Sequence, residues 1–307
     1  MKIRPHRIRR ISPRGLCALL VYAACAAAAI AGPLELPPLV VPASTEHHVG
    51  KVIWVELVTP NLVATERFYT TLFGWSYREV VAGPTRYAVV LLDGRPIGGL
   101  FYKSPANPGF CQPTWLTFIA VSDLDATSRI ALEHGAKVRF EPANYPQRGR
   151  QVVLTDPEGA SFALLASSSG DPPDFLASPG EWIWTSVHVR DPAAEASFYR
   201  AVFGYDVVDV PSDDGLRHAI LASEGYARAS INALSDNAPQ RHPYWLNFVR
   251  VLDAAAVAAK VWALGGRVLV EPHLDRHGGN VAVIAGPGGA PVGLMEWSAI
   301  DSREEPR

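Results

Sequence analysis

Cysteine and methionine are scarce in this chain of 307 residues, with three of the first and two of the second. Cys17 and Cys25 fall in the N-terminal leader, which leaves Cys111 as the only thiol of the body if the leader is removed. A disulfide framework and a cysteine-based zinc site are therefore both excluded. Acidic residues are absent until Glu35, whereas Lys2, Arg4, Arg7, Arg9, Arg10 and Arg14 supply six of the 28 basic residues. Without them the balance is 22 basic against 30 acidic, with no basic run, so the body is unsuited to neutralising nucleic-acid phosphates. The longest apolar run, Leu16 to Ile30, has 15 residues and falls short of the roughly 20 needed to span a bilayer. No P-loop, nucleophile elbow or dinucleotide fingerprint occurs. The glycine-rich GPGGAPVG at 286–293 runs into a strand and offers no helix N-terminus to a phosphate.

The leader has the order of a secretory signal: a basic stretch, the apolar GLCALLVYAACAAAAIAG and the small-residue motif Ala29-Ile30-Ala31. It admits two readings, cleavage after Ala31 or lipidation and membrane attachment at Cys25. In either case the protein is expected in the periplasm or cell envelope. Residues 1–31 then form the leader and 32–49 a proline-rich linker.

The body is written twice. ERFYTTLFGW at 66–75 returns as ASFYRAVFGY at 196–205, PTWLTF at 113–118 as PYWLNF at 243–248, and GAKVRFEP at 135–142 as GGRVLVEP at 265–272. An offset of 130 residues kept through these blocks marks an internal duplication of two domains. The expected domains are 50–168 and 181–298, joined by a polar Pro/Gly linker at 169–180 and followed by a polar tail at 299–307. Each copy holds a fainter repeat, because VTPNLVATER at 58–67 resembles VSDLDATSR at 121–129. VIWVELV alternates and reads as a strand. Asn61 and Asp191 are placed to cap the helices that follow, and Gly74 and Gly204 to end them. Three short strands come next. The fold class is thus α+β, four βαβββ modules in tandem. The repeated Phe-Tyr and Phe-Gly are core and cap rather than active site.

These blocks resemble the vicinal oxygen chelate superfamily, which includes glyoxalase I, extradiol dioxygenases and bleomycin-resistance proteins. FYTTLFGW and FYRAVFGY, the VSDLDA entry to a helix and DPEGASFALL before a last strand carry the resemblance, which spans both copies. It implies two modules per domain around a concave cleft. In metal-dependent members, first-strand and last-strand residues of each module bind a divalent ion through His, Glu or Gln. The first-strand positions fall at Trp54 and Thr117, and at Trp184 and Asn247. The last-strand positions fall at Ala163 and Gly293, near Gly98 or Gly99, and near Ala229 or Ser230. None is His, Asp or Glu, so no metal and no other cofactor is expected.

Strand alternation assigns Trp54, Glu56 and Val58 to the first cleft and Trp184, Ser186 and His188 to the second, with Trp115, Thr117, Trp245 and Asn247 beside them. Aromatic clefts with few polar groups suit small-molecule ligands, here expected to be uncharged or cationic and partly aromatic. Glu56 and His188 are the candidate acid–base residues, unless Glu56 merely pairs with an arginine such as Arg86 and His188 is structural. His218 is a further candidate, and for His47-His48 and for His273 with His277 a metal-ligand role stands against a solvated one, because neither pair lies on a helix that would aim both rings at one ion. Three functions compete: a metal-free small-molecule binder, a glyoxalase- or dioxygenase-type enzyme with relocated ligands or Glu56 as catalyst, and an envelope interaction module with closed clefts. Oligomeric state is left open.

Overall fold

The computed structural model describes residues 34–297, apart from 83–84, 105–112, 212–216, 236–237, 239 and 276–277. The leader with Cys17 and Cys25, Cys111, His277 and the tail from 298 lie outside the described residues.

The first copy contributes β1 (Val52–Thr59), α1 (Leu62–Phe73), β2 (Ser76–Ala82), β3 (Thr85–Leu92) and β4 (Arg95–Tyr102). It continues with β5 (Thr114–Ala120), α2 (Leu124–Glu133), β6 (Lys137–Tyr145), β7 (Gly149–Thr155) and β8 (Ser161–Ser167). The second copy repeats the plan as β9 (Trp182–Val189), α3 (Pro192–Phe203), β10 (Asp206–Val210), β11 (His218–Ser223) and β12 (Tyr226–Ala233). β13 (Tyr244–Val251), α4 (Ala254–Val261), β14 (Arg267–Leu274), β15 (Asn280–Ala285) and β16 (Pro291–Glu296) complete it. Each copy makes one eight-stranded sheet, in the orders β2-β3-β4-β1-β5-β8-β7-β6 and β10-β11-β12-β9-β13-β16-β15-β14. The expected α+β architecture of four βαβββ modules is what forms.

Local chemistry accounts for the helices. Asn61 Oδ1 accepts from Ala64 N at 3.0 Å, and Asp191 Oδ1 accepts from Ala193 N and Ala194 N at 3.0 and 3.1 Å, so orphan N–H groups at both helix starts are satisfied. Gly74 and Gly204 end α1 and α3 with φ of 74° and 71°, a left-handed conformation that costs glycine little. Phe68 and Tyr69 are fully buried, as are Tyr199 and most of Phe198, in keeping with a structural role for the repeated motif.

The helices lie between the two sheets, and the core there is shared between the copies. Val55, Leu57, Phe68, Tyr69 and Trp115 from the first copy pack in one cluster with Val249, Val251, Ala254 and Ile284 from the second. Ile119, Leu124 and Phe162 pack in another with Val187, Phe198, Tyr199 and Leu221. The first module thus closes on the fourth, and the second on the third.

Two segments read as linkers are packed. The stretch 169–180 buries Ser169, Asp171 and Ala177. Asp174 in it takes salt bridges from both Lys51 and Arg228 at 2.7 Å, and Gly180 O accepts from Trp75 Nε1 at 2.7 Å. The stretch after the leader sends Leu36 and Leu39, both buried, into the apolar cluster of the first sheet's concave face. It is held by Leu39 N donating to Ser169 Oγ at 2.9 Å and Arg148 Nε donating to Pro37 O at 2.7 Å.

Candidate functional site

The faces of the sheet are fixed by the central antiparallel pair. Trp54 lies opposite Phe118, Glu56 opposite Leu116 and Val58 opposite Thr114. Directly opposed residues share a face. Trp54, Glu56 and Val58 therefore face the cleft, as expected from alternation, and their partners there are Leu116 and Phe118. Trp115 and Thr117 fall on the other face. Although Trp115 borders the cleft cavity, its ring packs with Tyr69, Trp75 and Trp182, centroids 5.0 to 6.3 Å away, in the layer between the sheets. The second copy departs from expectation in the same way. Trp245 donates to Tyr199 Oη at 3.1 Å in that layer, and Leu246 takes the cleft position instead of Asn247. Thr117 and Asn247 meet each other where the two copies join: Asn247 Nδ2 donates to Thr117 Oγ1 at 3.0 Å, and Thr185 Oγ1 donates to Asn247 Oδ1 at 3.0 Å. The assignment of Thr117 and Asn247 to the clefts is corrected accordingly, whereas Trp115 and Trp245, although their rings pack between the sheets, both border the cavity. The misplacement is one residue, which in a strand reverses the face.

A cavity of about 1170 Å³ opens from the first cleft and extends onto the second copy, where Tyr244, Trp245, Leu269 and Pro291 border it. Its walls include Val58, Phe101, Leu116, Phe118, Tyr145 and Val153, with Glu56 and Tyr87 on the floor. Tyr87 was not singled out in the sequence, although its place on β3 two residues from Val89 gives it the cleft face. Tyr87 Oη donates to Glu56 Oε2 at 2.9 Å and accepts from Trp54 Nε1 at 3.3 Å. Burial raises the Glu56 carboxyl above the ordinary carboxylate range, against the opposing pull of the nearby Arg148 charge and the Tyr87 hydrogen bond. Arg86, the partner considered for Glu56, instead pairs with Glu79 at 3.2 Å. Arg148 lies over the Trp54 ring at 3.9 Å from its centroid, so that indole already has a cation.

The second cleft face carries Trp184, Ser186 and His188. Trp184 Nε1 donates to Ser230 Oγ at 3.1 Å, Ser186 Oγ lies 2.9 Å from His188 Nε2, and the His188 ring stacks on Tyr244 with centroids 4.9 Å apart. Burial, and secondarily the charge of His218, lowers the His188 pKa to about 4, so the ring is neutral at ordinary pH. His218 Nδ1 lies 2.9 Å from Asn232 Oδ1. The remaining histidines do not converge. His48 N donates to Asp171 and its ring meets Glu224, His47 lies 3.8 Å from Asp171, and His273 contacts Glu271 O.

A sequence profile of the glyoxalase/bleomycin resistance protein/dioxygenase superfamily matches residues 48–164, and a profile of a glyoxalase-like domain matches residues 184–295. The protein CFP32 of Mycobacterium bovis, provisionally named a glyoxylase, is 30% identical over 83% of this chain and 98% of its own length. The chain belongs to the glyoxalase/bleomycin resistance protein/dioxygenase superfamily. DauV of Streptomyces sp. strain C5, an anthracycline biosynthesis protein, is 28% identical over 80% of this chain and 93% of its own length. Among solved structures, the Mn(II)-bound glyoxalase of Novosphingobium aromaticivorans superimposes with a TM-score of 0.57 at 16% identity, covering 81% of this chain and 83% of that one. The 2,2',3-trihydroxybiphenyl 1,2-dioxygenase of Sphingomonas wittichii strain RW1 does so with 0.57 at 19% identity, covering 81% and 91%. At such identities the structures speak for the fold alone.

Membership raises the question of the superfamily's metal. The observed register places the family's ligand positions at Trp54, Gly99, Leu116 and Ala163 in the first cleft: Gly99 lies beside Glu56 on β4, and Ala163 beside Phe118 on β8. The second cleft has Trp184, Ser230, Leu246 and Gly293. Only one hydroxyl among these eight side chains can donate a lone pair. The space is also taken. A Cβ on Gly99 would come within 1.9 Å of Tyr87 Oη, and one on Gly293 within 2.1 Å of the Phe248 ring. Aromatic groups therefore stand over the positions from which a ligand would reach. Among the described residues, no group of three or more His, Cys, Asp or Glu could hold an ion elsewhere. The residues present do not fit the metal.

Proposed function

We propose that this protein is an exported member of its superfamily that binds an apolar small molecule in the cleft of the first sheet without a divalent metal. The observation that carries this reading is a cavity of about 1170 Å³ whose floor carries the Tyr87–Glu56 pair, beside ligand positions filled by Trp54, Gly99, Leu116 and Ala163. Its volume and mixture of apolar wall and few polar groups are those of a small-molecule site. A relative named for anthracycline biosynthesis agrees with a multi-ring guest, for which the cavity has room. An enzyme with relocated metal ligands has no donor cluster in its favour among the described residues. The interaction module with closed clefts is disfavoured by the open first cleft.

Native mass spectrometry with elemental analysis, on protein purified from its own envelope, tests the reading. The expected result is a co-purified organic molecule, substoichiometric metal and a mature chain beginning near Gly32 or at a lipidated Cys25. One tightly held metal per domain, with activity lost on chelation, would overturn it, and a full-length species retaining Met1 would overturn export.

A catalytic variant of the reading rests on Glu56. A carboxyl whose pKa is raised by burial, hydrogen-bonded by Tyr87 and facing the cavity, is placed to exchange a proton with a bound molecule. Glu56→Gln would then abolish turnover while ligand binding persists; loss of neither would leave Glu56 a structural residue.

A further inference from the structure

The hydrogen bonds at the floor of the first cleft run in one direction. Trp54 Nε1 donates to Tyr87 Oη at 3.3 Å, and Tyr87 Oη donates to Glu56 Oε2 at 2.9 Å. Indole nitrogen donates and cannot accept, so the tyrosine proton is turned to the carboxyl. Glu56 ends this series and lines the cavity, which leaves its second oxygen, Oε1, as the atom a guest can meet. Its surroundings suit a neutral acid. Glu56 is 9% exposed, and Leu36, Val89, Leu116 and Phe118 share one buried cluster with its neighbours Trp54 and Tyr87. Arg148, the cation that acts on it, stops short of an ion pair: its Nε donates to Pro37 O and its guanidinium covers the Trp54 ring. A carboxylate in apolar surroundings without a paired cation is costly, which favours the protonated form. Burial accordingly raises the Glu56 pKa. With Oε2 already receiving the tyrosine proton, the acid's own proton falls on Oε1 and is presented to the cavity.

We infer that the guest of this cleft is a ring ketone or quinone, whose carbonyl oxygen accepts a hydrogen bond from Glu56 Oε1 while its rings lie on the apolar wall. This inference rests on the cleft being the ligand site and adds the chemical class of the ligand. A carbonyl brings an acceptor and no donor. A hydroxyl in the same place would carry its own proton towards the side chains of Val58, Phe101, Leu116 and Phe118, none of which accepts it, and a buried donor left unpaired weakens binding. The titratable and charged groups turned towards Glu56 are Tyr87 on β3, Tyr145 on β6 and Arg148 just before β7, whereas Gly99 and Leu116, beside it on β4 and β5, carry no charge. Burial holds both tyrosines above their ordinary range, and arginine stays charged at ordinary pH. Glu56 is therefore the member of this set that titrates between about pH 5 and 9.

The test titrates the full chain with 9-fluorenone, 9-fluorenol and fluorene, probes of one shape that differ at a single position, and reads binding by fluorescence. At about pH 5 the ketone is expected to bind about five-fold more tightly than either of the others, and the preference should fade towards about pH 9 as Glu56 ionises and loses its proton. Glu56→Gln offers its amide oxygen to Tyr87 and its N–H to the cavity, so it is expected to keep the preference for the ketone and lose the pH dependence. Glu56→Leu, checked for folding by circular dichroism, removes the donor and should erase the preference. A pH effect arising elsewhere around the cavity would persist in Glu56→Gln. Tighter binding of fluorenol, growing as pH rises and lost in Glu56→Gln, would make Glu56 an acceptor and overturn the carbonyl class. Equal binding of all the probes, in parent and variants alike, would overturn a contact with Glu56; both of these outcomes leave the cleft as a binding site. If no probe binds up to its solubility limit, the cleft is not the ligand site and the proposed function falls with the inference.

Discussion

Tyr87 joins β3 to β1 across β4 at the floor of the first cleft. Its hydroxyl accepts from Trp54 and donates to Glu56, and its ring requires glycine at position 99. Tyr87→Phe should cost about 1–2 kcal/mol in urea unfolding, because it removes one hydrogen bond and leaves a buried carboxyl without its donor. A second residue-scale device lies where the copies meet. Tyr199 Oη donates to Asp156 Oδ2 at 2.8 Å, and Glu195, 1% exposed, accepts from Glu158 N with its other oxygen unpartnered. Burial, and then the charges of Asp156 and Glu158, raise Glu195 to about 8, and burial raises Asp156 to about 6. A carboxyl whose folded pKa is raised binds more protons folded than unfolded, so stability falls as pH rises from the unfolded value to the folded one. The melting temperature should therefore decline between about pH 4.5 and 8 on account of Glu195. Glu195→Gln should flatten the upper part of that decline, and an unchanged profile would show that Glu195 is ionised in the native state. His188, lowered to about 4, acts with the opposite sign and adds stability as pH rises from 4 towards 6.5. The sequence disclosed Trp54 and Glu56 because a first strand alternates cleanly from a recognisable helix start. It misplaced Thr117 and Asn247 because period-two alternation fixes a face only once register is known, and the register of β5 comes from its pairing with β1. Arg148 and Tyr87, distant from Glu56 in the chain, carried no local signal at all.

At the scale of elements, the strap from Leu34 to Val40 alters what the first cleft can be. Its proline-rich composition reads as a solvated linker, and nothing in PLELPPLVVP says that Leu36 and Leu39 find a sheet face to cover. The reason lies in the sheet: Trp54, Val89, Phe118 and Leu165 leave an apolar concavity with no helix of their own over it. The strap covers one end of that concavity and Arg148 clamps it through Pro37 O, leaving the other end as the cavity. Leu36→Ala with Leu39→Ala should lower stability by about 2–5 kcal/mol if the strap is packed as a core element, measured by denaturant unfolding. The same double variant should enlarge the cavity and admit a bulkier guest than the parent does. A change below about 0.5 kcal/mol, the range of ordinary surface substitutions, would mean the strap only rests on the surface. The repeated helices, by contrast, were fully legible, because a capping Asn or Asp, a stripe of Phe and Tyr, and a terminal glycine each act locally.

For the molecule as a whole, the duplication has a consequence for folding. The two sheets follow the two copies, but the cores do not: the first module packs on the fourth and the second on the third. Cutting the chain within 169–180 should therefore expose the inner face of each sheet, including Phe68, Tyr69 and Trp115 on one half and Phe198, Tyr199 and Trp245 on the other. An apolar face of that extent is not left open to water in a stable monomer. The repeat supplies an alternative, because the third module resembles the first and the fourth resembles the second. Two copies of one half can then reproduce the native arrangement, with the first module of each closing on the second module of the other. The prediction is that residues 32–175 expressed alone give either an insoluble chain or a homodimer, whose melting temperature rises with protein concentration. The dimer should be looser than the parent, since Thr117 would face a second Thr117 instead of Asn247. Mixing this half with residues 176–307 during refolding should favour the mixed pair, in which the Thr117–Asn247 contact is restored. Sedimentation of the isolated half decides the matter: a folded monomer with a concentration-independent melt would show that each sheet carries a sufficient core of its own.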